Sequence, residues 1–60
     1  MNRRDFIERL RLGLSGLPAN AVEEAVADYQ AHFDEGLAAG RSEEDVAAAL
    51  GDPTRLAREL

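Results

Sequence analysis

The sequence predicts an all-α domain, a compact bundle of four helices, on three observations. Apolar residues recur at intervals of three and four along two long segments, the repeat of one helical face, and no stretch alternates as a strand does. Asn2, Ser42 and Asp52 stand as N-cap residues before three of the apolar segments. Single glycines and the joints Leu17-Pro18 and Gly51-Asp52-Pro53 separate the segments. Two helices are longer, about residues 3–15 and 19–39, and two are short, about 43–50 and 53–60. Together they form a single domain over residues 1–60.

The first helix starts at Asn2, with Asp5 three places on in the capping-box position. Phe6, Ile7, Leu10, Leu14 and Leu17 fall within about 100° of one another on a helical wheel and make its inner face. Gly16 is the expected stop. Pro18 and Asn20 suit the opening of the second helix, with Glu23 and Glu24 near its positive end. Val22, Val26, Tyr29, Phe33 and Leu37 repeat at steps of four, three, four and four, one continuous stripe. Gly40 fits the C′ position that ends it. Gly36 sits inside that stripe, where glycine is disfavoured by about 1 kcal/mol against alanine; close approach of another helix explains it.

Ser42 with Asp45 opens the third helix, which buries Val46, Ala47 and Leu50 and stops at Gly51. Asp52 then caps a fourth helix with Pro53 at its first position, and Leu56, Ala57 and Leu60 face inward. The pattern is unfinished at Leu60, which reads as a cut in a longer helix or protein.

Sixty residues hide only about 60% of the surface of the unfolded chain, so the stability of such a domain is marginal. Eleven of its 27 hydrophobic residues are alanine, which thins the core further. A partner, a second copy or further chain is the natural stabiliser.

Composition excludes several classes. Without cysteine there is no disulfide framework and no thiolate zinc site. The longest apolar run, Val46 to Leu50, falls far short of the ~20 residues of a membrane span. Asp5 and Glu8 interrupt the region where a secretory signal would lie. A soluble, cytoplasmic domain with no membrane contact of its own is expected. The net charge of −5 is unevenly spread. Residues 1–17 hold four Arg against two acids, a net of +2, and residues 18–60 hold three Arg against ten acids, a net of −7. That acidity opposes direct binding to nucleic acid or anionic lipid, which Lys and Arg drive.

An enzyme needs a nucleophile, an acid–base pair or a metal in a pocket. His32 lies four residues after Asp28 and three before Glu35, so the three share a helical side. That spacing can orient a base or hold a metal weakly, but a surface ion pair beside the apolar stripe is the preferred reading. The acidic clusters Glu23-Glu24, Asp34-Glu35 and Glu43-Glu44-Asp45 read as solvated helix faces, the first and last beside helix N-termini. No glycine-rich phosphate loop exists. The expectation is a domain that is not an enzyme and has no catalytic residue, cofactor or metal.

Residues 42–60 also resemble a helix-turn-helix loosely, with Thr54, Arg55 and Arg58 offered to a groove. Asp52 in the turn and the acidic surroundings argue against it. Leu12 is the misfit of the first helix, apolar on its polar side; a lone exposed leucine is ordinary, and a partner or self-association contact is the alternative that the thin core suggests, with Gly13 beside it allowing close approach of a second helix.

Taken in order, several of these signals resemble a known family. They are Met1-Asn2 with Phe6-Ile7 and Leu10, then Leu14-Ser15-Gly16-Leu17-Pro18, then Asp28-Tyr29 with His32-Phe33 and Gly36. Gly40 with Ser42-Glu43-Glu44, Leu50-Gly51-Asp52-Pro53 and Leu56-Ala57 complete the set. Across its whole length the chain is similar to the HAAS signalling domain. Gly13 stands where that pattern has a helix-favouring or apolar residue, and Leu12 where charge is common.

The resemblance implies a cytosolic helical module at the N-terminus of a longer bacterial protein, often ahead of membrane-spanning segments. It also implies a role beside PadR-type transcription regulators, exercised through protein–protein contact and without catalytic residues or cofactors. Under it Phe6, Leu10, Leu17, Pro18, Tyr29, Phe33, Gly40, Gly51, Asp52 and Pro53 are structural. The expected contact residues are Leu12, Glu23, Glu24, Asp28, His32, Glu35 and Gly36, and the expected function is a signalling module that docks a PadR-type regulator. A homodimer or other structural assembly is the alternative, and a helix-turn-helix DNA-binding domain a further one.

Overall fold

The computed structural model describes all 60 residues, with helices at Arg3–Gly13 (α1), Ala19–Ala38 (α2), Glu43–Leu50 (α3) and Pro53–Glu59 (α4). It is all-α, as expected. The caps explain most of the boundaries. Asn2 Oδ1 accepts the Asp5 N–H at 2.8 Å, Ser42 Oγ accepts that of Asp45 at 3.1 Å, and Asp52 Oδ1 accepts that of Thr54 at 2.9 Å. Each satisfies one of the amide donors that a helix start leaves free. Glu43, Glu44 and Asp45 occupy the first turn of α3, where carboxylates suit the helix dipole.

α2 ends in a Schellman motif. Gly40 N–H donates to Leu37 O at 3.0 Å and Arg41 N–H to Gly36 O at 2.9 Å. The motif needs a left-handed residue at C′, and Gly40 supplies it at φ 84°. Gly51, at φ 103°, turns the chain from α3 directly into the Asp52 cap.

α1 is central and touches the three other helices. It lies antiparallel to α2, because Arg3 meets Asp34 and Arg11 meets Glu23, so positions rise along one helix as they fall along the other. Phe6 and Phe33, both fully buried, meet edge-on between them with ring centroids 5.3 Å apart, and half-buried Tyr29 joins at 5.7 Å from Phe6. Ile7, Leu10, Leu14, Val26, Val46, Ala47 and Ala57 complete the core, with Pro53 buried at the start of α4.

Two glycines set the helix–helix distances. A β-carbon on Gly36 would lie within 3 Å of Val46 Cγ2, so α3 approaches α2 where glycine alone fits. This is the close approach that the sequence anticipates. A β-carbon on Gly13 would collide in the same way with Cβ of Ala57. The helix that Gly13 admits is therefore α4 of the same chain, not a second molecule.

Several expectations are corrected. α1 stops at Gly13, before residue 15, and Gly16 is not its terminator, since positive φ occurs only at Gly40 and Gly51. The last turn closes instead on the Leu14 N–H, which donates to Leu10 O at 3.0 Å and Arg11 O at 3.1 Å while the Leu14 side chain fills the core. Leu17 consequently leaves the helical face and is 42% exposed.

Pro18 is the N-cap of α2, not its first helical residue, and provides no side-chain acceptor; Asn20 lies within the helix. Glu23 and Glu24 fall beyond the first turn of α2, too far along to serve its N-terminus. At the other end the buried stripe turns from Phe33 onto Gly36, leaving Leu37 41% exposed. Leu60 lies past the end of α4 and is 61% exposed rather than inward-facing.

Candidate protein-interaction surface

The charges of α1 and α2 answer one another. Arg11 makes a two-pronged ion pair with Glu23, both exposed, and Arg3 reaches Asp34 at 2.5 Å with its guanidinium 5.5 Å above the centre of the Phe33 ring. The hydrogen bonds donated by Arg11 hold the Glu23 carboxyl below its ordinary range, with charge attraction adding to them. The same contacts raise Arg11 further above its already high value. Arg3 also donates its backbone N–H, a free donor in the first turn of α1, to Glu43 Oε1 at 2.8 Å. The basic start of the chain thus pairs with one flank of α2, while its backbone ties the first turn of α3 to α1.

The other carboxylates of α2 are free. Glu24, Asp28 and Glu35 are exposed and take part in no ion pair or hydrogen bond. Steps of four and seven place all three on one outward face of the helix, with Ala31 between them. They form an acidic stripe along the longest element of the fold.

Of the residues expected at a contact, the structure brings Glu24, Asp28 and Glu35 together. It separates Glu23, which faces α1, and Leu12, which stands alone on the outer side of α1 and is 74% exposed. Gly36 is buried against Val46 and presents nothing to a partner. His32 is exposed, its ring 5.9 Å from that of Tyr29. It borders an open groove of about 270 Å³ between α2 and α3, beside Glu35, Arg41 and Ala49. No hydrogen bond links His32 to Asp28 or Glu35, so the surface ion pair expected of them is not formed.

Thr54 and Arg58 are exposed on the outer side of the seven-residue α4, where Arg55 pairs with Glu59 at 3.8 Å. No helix is long and apolar enough to cross a membrane.

This order of elements, capped by Asn2, Ser42 and Asp52 and closed by Gly40 and Gly51, is matched by the family model named HAAS over residues 5–59. The chain belongs to the HAAS family. HAAS is a family associated with signalling and with the partnering of regulators. No curated protein and no solved structure matches the chain. Within this HAAS domain Phe6, Leu10 and Phe33 lie in the core, Gly40, Gly51 and Asp52 form the turns and cap, and Leu17 is at the surface.

Sequence reasoning missed the residues at one end of α2. Leu17 and Leu60, both assigned to the core, line a shallow surface depression with Ala21, Ala25, Glu24 and Asp28. Their signal was available only in part: each follows the last turn of a helix, where the helical period no longer governs which way a side chain points.

Proposed function

We propose that this HAAS domain is a non-enzymatic, cytosolic docking module that binds a PadR-type transcription regulator through the outer face of α2. The observation that carries this reading is the stripe of Glu24, Asp28 and Glu35, solvent-exposed and free of internal partners on the longest helix. Unpaired carboxylates along one face set up a local negative potential, which speeds encounter with a basic surface and repels acidic ones. The depressions on the molecule are open and shallow, which favours a macromolecular partner over an enclosed substrate. Self-association through Leu12 and the rim of Gly36 is less well supported, because a single exposed leucine is ordinary on protein surfaces and Gly36 is buried against Val46.

Binding of the purified domain to a purified PadR-type regulator, followed calorimetrically across a salt series, tests the proposal. Affinity should fall as salt rises, and Glu24→Arg with Asp28→Arg and Glu35→Arg should weaken it by more than about tenfold. Glu23 is left intact in this set, since reversing it would strike at the Arg11 pair. Affinity indifferent both to salt and to the triple reversal would overturn the reading, as would absence of binding.

A further inference from the structure

At its N-terminal end the acidic face of α2 borders an apolar depression. Ala21 and Ala25, half-buried, line it together with the exposed side chains of Leu17 and Leu60. Glu24 and Asp28, one turn apart, line the same depression. Its volume is about 240 Å³, below the ~300 Å³ at which small-molecule pockets begin.

We infer that this depression seats an apolar anchor from a basic amphipathic helix of the partner protein, whose Lys or Arg residues then pair with Glu24 and Asp28. The inference rests on the docking reading above and specifies the element that docks. Charge decides the occupant. A second copy that docked this depression onto its own equivalent across a two-fold axis would bring the two Glu24–Asp28 pairs together, and like charges in contact are repulsive. An anionic membrane is repelled by the same pair.

A basic amphipathic helix satisfies both halves of the site. Its apolar stripe supplies a side chain for the space between Leu17 and Leu60, and cations one turn away reach the two carboxylates. The stripe of Asp28 and Glu35 extends the negative face beyond the depression, so a helix lying along α2 meets carboxylates over several turns.

The test uses the 60-residue chain, labelled with ¹⁵N, and a designed Leu/Lys peptide of about five helical turns with all leucines on one face. Amide shifts should move at Leu17, Ala21, Glu24, Ala25, Asp28 and Leu60, saturating below about 1 mM peptide. The double variant Leu17→Ser with Leu60→Ser should weaken binding by about tenfold or more, as should Glu24→Gln with Asp28→Gln. All four side chains are at the surface, so these variants keep the helical circular dichroism of the parent. A Leu/Glu peptide of the same pattern should leave the spectrum unchanged.

No shift at millimolar peptide, shifts centred elsewhere, or equal affinity of the leucine variants would each overturn the inference. Shifts in these residues on concentrating the chain alone would assign the surface to a second copy and overturn it too. A regulator that binds the parent and the leucine variants equally well sinks this inference while leaving the docking reading in place. A regulator that binds none of them sinks the docking reading.

Discussion

Gly36→Ala measures how closely α3 is held against α2. At an unhindered helical position this change stabilises by about 1 kcal/mol, since alanine is the better helix former. Here the added β-carbon would fall within 3 Å of Val46 Cγ2. Val46 cannot swing aside cheaply, because a helical valine has one strongly preferred rotamer. Overpacking of this kind costs about 1–3 kcal/mol, so the net change is a loss of about 0–2 kcal/mol.

The double-mutant cycle with Val46→Ala decides the matter. Val46→Ala alone removes two buried methyl groups at about 0.8 kcal/mol each and leaves a small void, a loss of about 2 kcal/mol. In that background the obstructing atom is gone, and Gly36→Ala should stabilise by about 0.5–1 kcal/mol. The coupling between the two sites is then about 0.5–3 kcal/mol, against a scatter of about 0.3–0.5 kcal/mol for independent sites. Thermal unfolding followed by helical circular dichroism reads it, because 1 kcal/mol moves the midpoint of a domain this size by about 4–8 °C. If Gly36→Ala raised the midpoint equally with and without Val46, the two residues would not be in contact and the reasoning would fail.

Three further outcomes follow from the same structure. Asp52→Ala deprives the Thr54 N–H of its acceptor at the start of a seven-residue helix and should cost about 1 kcal/mol, with Asp52→Asn milder; equal midpoints for the parent and the alanine variant would refute the cap. Glu23 titrates below its ordinary value of 4.5 in the folded chain, so its stabilising contribution is complete above that value and is lost as pH falls through the depressed one. Glu23→Gln should therefore be less stable than the parent near neutrality and converge on it in acid, and a gap that stays constant with pH would disprove the link. Leu12→Gln should alter stability by no more than about 0.5 kcal/mol and leave the sedimentation coefficient unchanged; slower sedimentation than the parent would reinstate self-association through that residue.

The helices were legible in the residues because caps and periodicity are local. Asn2, Ser42 and Asp52 each bond an amide two or three residues away, and Gly40 closes a motif only six residues long, so neighbours along the chain suffice. Three carboxylates of the candidate surface were legible for the same reason: Glu24, Asp28 and Glu35 share a face by helical geometry alone. Where local signals end, the reading failed. Leu17 and Leu60 lie just outside helices and Leu37 in a final turn, and their exposure depends on what the rest of the chain places beside them.

The chain's residue pattern, then, determined the class of fold, the number of its helices, their capped starts and the acidity of their outer face. Tertiary structure alone decided how the helices meet and which charges remain free. Gly13 and Gly36 are both small, but only packing shows that one receives Ala57 and the other Val46. Glu23 and Glu24 are adjacent acids, yet a rotation of about 100° between successive residues turns one toward Arg11 and the other to solvent. The physical reason is range: a cap or a stripe is fixed by bonds a few residues apart, whereas partner and exposure are fixed by surfaces that the chain brings together only when it folds.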